Sequence, residues 1–139
     1  MSKVAHCNCG ALRAEVDGEP EAVVACHCVD CQRRTGSVIG VGAYYPENRV
    51  RITGERKNFM RGTASGKKFE QSFCPHCGTS VFWVAELKPN VVGIAVGCFA
   101  DPTFPAPMRS VWEQTHHPWL GLPEGIQHYS QGRAGTTPR

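Results

Sequence analysis

Three short clusters of cysteine carry most of the chemistry that this sequence makes available. They hold seven of the chain's eight cysteines, and their sequences are Cys7-Asn8-Cys9, Cys26-His27-Cys28-Val29-Asp30-Cys31 and Cys74-Pro75-His76-Cys77. Zinc held for structure has four protein ligands, whereas zinc held for catalysis usually keeps one position open. The two pairs supply four thiols and the triplet supplies three. These counts predict two zinc ions per chain, one structural and one catalytic.

Disulfides are the alternative use of eight cysteines. The first ten residues, MSKVAHCNCG, lack the apolar core of a secretory signal, so we expect a cytoplasmic protein in which thiols stay reduced. Spacings of Cys-x-Cys and Cys-x-x-Cys bring thiols together without linking distant segments. In a chain that is not secreted, such spacings favour metal binding over disulfides.

The two cysteine pairs are expected to form the structural site. Cys74 and Cys77 flank a turn in which Pro75 fixes φ, and Gly78 can take the positive φ that directs backbone N–H groups at sulfur. Cys7 and Cys9, also followed by a glycine, supply the second pair. We interpret His76 as a bystander because it lies inside the turn, where side chains point outward.

The triplet Cys26, Cys28 and Cys31 is expected to form the catalytic site. Zinc held by three thiolates is a weak Lewis acid for activating water, and its soft ligands favour a substrate thiol in the open position. A fourth protein ligand would instead close the site; the candidates are Cys98, His27, His116 and His117. The position of His27 between two ligands directs its ring away from their metal. A supporting, proton-carrying or solvent-facing role stays open for it.

Mainly β structure must position these cysteines. Residues of alternating polarity predict strands near Leu12–Val16 and Val50–Ile52, and five further segments have strand character: 38–45, 68–73, 80–84, 91–96 and 109–112. A strand over 22–25 leads into the triplet, and Pro89-Asn90 is interpreted as a turn. The sequence predicts one short helix, from Asp30 to Arg34 with Gly36 as its stop signal. We expect one domain over residues 1–130 and a disordered tail over 131–139.

Composition restricts the partners. The net charge is +3, with 15 basic and 12 acidic side chains, and no run of like charges gives this charge a direction. Nucleic-acid binding is therefore not expected, and no apolar stretch is long enough to span a membrane. The expected partners are small molecules, and assembly into a homo-oligomer is left open.

The residues around the cysteines resemble the glutathione-dependent formaldehyde-activating (GFA) family, which centromere protein V shares. The resemblance rests on Cys7-x-Cys9-Gly10, Cys26-His27-Cys28-x-x-Cys31-Gln32-Arg33-Arg34-Thr35-Gly36-Ser37 and Phe73-Cys74-x-x-Cys77-Gly78-Thr79. It extends over about residues 4–129. Two departures stand out: Ser110, where many relatives have histidine, and Cys98, where threonine is common. Both leave the expected ligands intact.

The resemblance implies a β-tent-like fold stapled by zinc. It implies a structural zinc at Cys7, Cys9, Cys74 and Cys77 and a catalytic zinc at Cys26, Cys28 and Cys31. The implied activity is that of a carbon–sulfur lyase, S-(hydroxymethyl)glutathione synthase, which adds glutathione to formaldehyde.

Glutathione carries two carboxylates, so a site that binds it should contain fixed positive charge. Arg33 and Arg34 directly follow the last cysteine of the triplet and are the first candidates; Lys67 and Lys68 are others. Each could equally be a solvated surface cation. Two competing functions remain open: a non-catalytic binding module stapled by zinc, and a redox or metal-buffering protein that exchanges its thiolates.

Overall fold

The computed structural model describes residues 1–132 and contains two compact units. Unit 1 comprises Met1–Glu21 and Ala43–Phe104, and unit 2 comprises Ala22–Gly42 and the residues from Pro105 onward. The expectation of a single domain over residues 1–130 stays a prediction. Of the predicted tail, residues 133–139 lie outside the described residues.

Unit 1 is built almost entirely of antiparallel strands. One sheet has the order β1-β2-β5, and a second run of strands has the order β9-β8-β7-β6. The strands are β1 (Ser2–His6), β2 (Arg13–Asp17), β5 (Val50–Thr53), β6 (Lys57–Gly62), β7 (Lys68–Phe73), β8 (Ser80–Ala85) and β9 (Lys88–Ala95). Alternate residues of β2 are buried, as the pattern of polarity predicts.

Unit 2 consists of three strands and the chain's one α-helix among the described residues. The strands are β3 (Ala22–Cys26), β10 (Arg109–Val111) and β11 (Gln127–His128), and β10 pairs in parallel with both of the others. Four residues of β3 are buried, as expected for a continuous apolar run. The helix, α1, covers Val29–Thr35 and ends at Gly36, whose φ is 72°. Strand β4 (Gly40–Pro46) begins in unit 2 and ends in unit 1.

The fold class predicted from sequence is confirmed: the chain is mainly β, and residues 1–132 contain one α-helix. Three strands were not predicted, namely β1, β6 and β11. The turn predicted at Pro89-Asn90 is wrong, because both residues lie in β9 and the turn falls at Glu86-Leu87. Cys98 lies in a short 3-10 helix, Val96–Phe99, which directly follows β9. Within residues 1–132, no helix is both long and apolar enough to cross a membrane.

Candidate metal centres

The four paired cysteines converge in unit 1. The sulfur atoms of Cys7, Cys9, Cys74 and Cys77 all lie within 4.8 Å of one another. The Sγ atom of Cys9 is 3.6 Å from that of Cys7 and 3.7 Å from that of Cys74. A tetrahedron of sulfur around zinc, with bonds of about 2.3 Å, has edges of about 3.8 Å. The donor set and its spacing therefore fit a closed four-thiolate zinc site.

Two similar turns create this group of thiols, which we call the quartet. In the first turn the N–H of Gly10 bonds to the carbonyl of Cys7, and in the second that of Gly78 bonds to the carbonyl of Cys74. Both glycines have φ near +80°, a conformation that residues with a Cβ rarely adopt. The turns also direct backbone N–H groups at sulfur, from Leu12 to Cys7 at 3.2 Å and from His76 to Cys74 at 3.3 Å.

Side chains beside the quartet make further polar contacts. Thr79 Oγ1 lies 3.3 Å from the sulfur of Cys77. This hydrogen bond, followed by those from the backbone of Thr79 and Cys9, lowers the pKa of Cys77 to about 5. The side chain of His76 extends to Glu55, with Nε2 2.9 Å from the carboxylate, and both side chains are exposed. The His76 ring therefore binds Glu55 and is not one of the donors that form the quartet. Cys98, also in unit 1, directs its thiol to the carbonyl of Ser80 at 3.6 Å.

The remaining three cysteines converge in unit 2. The sulfur atoms of Cys26, Cys28 and Cys31 lie within 4.8 Å of one another, and we call this group the triplet. Cys26 ends β3, Cys28 caps α1, and Cys31 lies in the first turn of the helix. The N–H of Cys31 donates to the sulfur of Cys28 at 3.3 Å. One strand end and one helix start thus bring three thiols to one point.

The triplet disfavours loss of a proton in the absence of a cation. Hydrogen bonds with Cys28 and Cys31, together with burial, raise the pKa of Cys26 far above its ordinary value. The pKa of Cys31 is also raised: its hydrogen bond with Cys26 lowers it, but the hydrogen bond with Cys28 and burial outweigh that effect. A divalent cation reverses this preference, since metal-bound thiols are deprotonated. Three clustered sulfur donors fit zinc with one position left open.

Arg33 and Arg34 lie in the last turn of α1, beyond the triplet. Arg33 is exposed and Arg34 is half-buried. A Cβ at Gly40 would come within 2.8 Å of the Arg34 guanidinium and 3.2 Å of the Cys31 Cβ. Glycine at position 40 therefore allows both side chains to pack against the backbone of β4. The structure keeps Arg34 near the last cysteine, whereas Lys67 and Lys68 are exposed residues of unit 1.

The histidines considered as ligands are hydrogen-bonded to protein groups. His27 is buried, with Nε2 2.8 Å from Ser110 Oγ, and burial lowers its pKa. His116 donates from Nδ1 to the carbonyl of Glu113, and His117 donates from Nε2 to Gln32 Oε1 at 3.1 Å. The solvent-facing role left open for His27 is therefore wrong, and its ring belongs to the interior of unit 2.

Sequence reasoning missed a buried acid in unit 2. Glu113 is 7% exposed, and its Oε2 accepts a hydrogen bond from His128 Nδ1 at 2.6 Å. It follows Trp112, whose φ of 59° is unusual for a residue with a large side chain. The acid and its partner are 15 residues apart, so no local pattern pairs them.

The profile of the family described as glutathione-dependent formaldehyde-activating enzyme (GFA) matches residues 2–115. The chain belongs to this family. A crystal structure of a Rhodobacter sphaeroides protein, a structural genomics target, has a similar fold, with a TM-score of 0.55 and 24% identity. The similarity covers 70% of this chain and 86% of that one. No curated protein matches this chain significantly.

Proposed function

We propose that this GFA protein is a zinc-dependent carbon–sulfur lyase that adds glutathione, or a similar small thiol, to formaldehyde or a related small carbonyl. The observation that supports this proposal is the difference between the two cysteine clusters: the quartet offers the four donors of a closed site, whereas the triplet offers three. Membership of the GFA family supports the same activity.

In the proposed reaction, Cys26, Cys28 and Cys31 would hold the catalytic zinc, and Cys7, Cys9, Cys74 and Cys77 the structural zinc. When bound at the triplet, zinc supplies a Lewis-acid position that lowers the pKa of an incoming thiol. The sulfur of the substrate adds to the carbonyl carbon of formaldehyde, and the proton lost by sulfur ends on the new hydroxyl group. Atoms and charge balance without a further reactant.

The protein residues contribute orientation and charge. The raised pKa of Cys26 means that protons compete with zinc for the triplet, so metal binding there should weaken as the pH falls. Arg34, and less so the exposed Arg33, would bind a carboxylate of glutathione. Electrostatic attraction to Arg34 lowers the pKa of Cys31 only slightly compared with the effects of the neighbouring cysteines and of burial.

Exchange spectroscopy by NMR tests the activity. Formaldehyde and S-(hydroxymethyl)glutathione should interconvert faster with the zinc-loaded protein than without it, and Cys28→Ser should remove the acceleration. The uncatalysed reaction is easy, so the rate without protein is the necessary baseline. If glutathione gives no acceleration while another small thiol does, the lyase class stands and glutathione is wrong. If no thiol does, the binding-module alternative replaces the proposal.

A further inference from the structure

His27, the residue between the first two cysteines of the triplet, is fixed at three points. Its N–H donates to the carbonyl of Val111 at 3.0 Å, and its ring bonds to Ser110. Its carbonyl accepts two hydrogen bonds, from Thr115 Oγ1 at 2.7 Å and from Gln32 Nε2 at 2.9 Å. A buried residue held in this way cannot change its backbone dihedrals without breaking several bonds.

Gln32 and Thr115 also hold each other. The Gln32 amide donates a second bond to the Thr115 carbonyl at 3.2 Å, and its oxygen accepts from His117. We call the hydrogen bonds among Gln32, Thr115 and the His27 carbonyl the clamp. His27 directly follows Cys26 and Gln32 directly follows Cys31, so the clamp connects the two ends of the triplet. Neither side chain offers a thiol, and neither belongs to the proposed ligands.

Residues near the C-terminus support Thr115. The N–H groups of Trp112, Glu113 and Gln114 donate to the carbonyls of Gln131, Tyr129 and Ser130, at 3.0 to 3.1 Å. His128 adds its bond to the Glu113 carboxylate. The residues that hold this segment therefore lie after position 115, beyond the match to the family.

We infer that Gln32 and Thr115 are positioning residues, which hold the His27 carbonyl so that the three sulfurs of the triplet face one metal ion. The inference rests on the proposed metal site but not on the identity of the substrate. Hydrogen-bond partners that orient ligands typically change metal affinity or activity by about 10- to 100-fold when they are removed.

The test measures metal affinity by competition with a chelator on the full chain, in the absence of glutathione and formaldehyde. Thr115→Val removes the hydroxyl with little change in shape, and Gln32→Met removes the amide. Each should weaken binding at the triplet about 10- to 100-fold and leave binding at the quartet unchanged. In the cobalt-loaded protein, the visible bands attributable to the triplet, identified by comparison with Cys28→Ser, should shift.

Two further variants separate positioning from general stability. Thr115→Ser keeps the hydroxyl and should restore affinity and spectrum. Thr103→Val removes a hydroxyl that donates to Asp101 at 2.7 Å in an exposed turn of unit 1, and it should behave as wild type. If affinity at the triplet changes less than twofold in both Thr115→Val and Gln32→Met, the inference is wrong.

Loss of both metals together in Thr115→Val and Gln32→Met would also overturn it, because the clamp would then support the whole fold and not the site. Failure of the lyase assay leaves these affinities measurable. The clamp and the proposed function can therefore fail independently.

Discussion

The quartet and the triplet use the same ligand atom but connect the chain differently. The quartet joins turns whose cysteines Cys9 and Cys74 are 65 residues apart, whereas the triplet spans six residues at the start of one helix. Closing a longer loop costs more entropy, about 0.6 kcal/mol for each doubling of its length, so closure of the quartet costs about 2 kcal/mol more. Metal binding at the quartet should therefore contribute more to the stability of the fold than metal binding at the triplet. Loss or exchange of metal at the triplet should disturb the fold less.

The largest expected effect comes from breaking the quartet. Cys77→Ser should unfold much of the domain, since metal binding that closes a long loop contributes its free energy to folding. Circular dichroism and metal analysis check this, and loss of β signal together with metal is the expected result. A well-folded Cys77→Ser protein that retains two metal ions would contradict the pairing of the two turns.

Breaking the triplet should have a smaller effect on the fold. Cys28→Ser should lose one of two metal ions and all lyase activity while keeping the strands of unit 1, because the triplet closes only a short loop. Zinc analysis, circular dichroism and the exchange assay measure the three properties. Unfolding as extensive as that of Cys77→Ser would show that the triplet is structural too.

The grouping of the cysteines could be predicted because its determinants are local. Spacing, flanking glycines and the count of thiols all lie within the three short clusters, and the helix with Gly36 at its end is similarly local. The resulting groups of thiols match the prediction, whereas their occupation by zinc stays a prediction.

The supports of the triplet could not be predicted in this way. Ser110 lies 83 residues from His27, and Thr115 lies 88 residues from it. Contacts at such separations leave no pattern in a single sequence. Strand β6 was missed for another reason: almost all of its residues are exposed, so its polarity does not alternate.

Acid should release metal from the triplet before the quartet. Thiols must lose their protons to bind zinc, so a raised pKa moves metal release to higher pH and a lowered pKa moves it to lower pH. In the triplet, neighbouring thiols raise the pKa of Cys26, whereas in the quartet several hydrogen bonds, above all that from the Thr79 hydroxyl, lower the pKa of Cys77 to about 5. Cys9 opposes this difference: its hydrogen bond with the Ala11 backbone lowers its pKa, but neighbouring thiols raise it to about 11.

A chromophoric zinc indicator follows this release as the pH falls. Two steps are expected, and the step at higher pH should be missing from Cys28→Ser. The fourth thiol of the quartet and the lowered pKa of Cys77 together outweigh the contribution of Cys9. A single step that releases both ions together would contradict the predicted order of release.

The smallest expected effect concerns the charges beside the triplet. Arg34→Gln should raise the KM for glutathione by at most about fivefold, with little change in kcat, because a partly exposed ion pair contributes about 0.2–1 kcal/mol. Arg33→Gln should have a weaker effect, since Arg33 is exposed whereas Arg34 packs against Gly40 and is held in place.

Lys67→Gln, in an exposed turn of unit 1, is the matched control. If Lys67→Gln raises KM while both arginine variants leave it unchanged, the carboxylate of the substrate does not bind at the end of α1. A decrease in kcat for Arg34→Gln would instead indicate that its charge acts on the thiolates of the triplet, as its proximity to Cys31 allows.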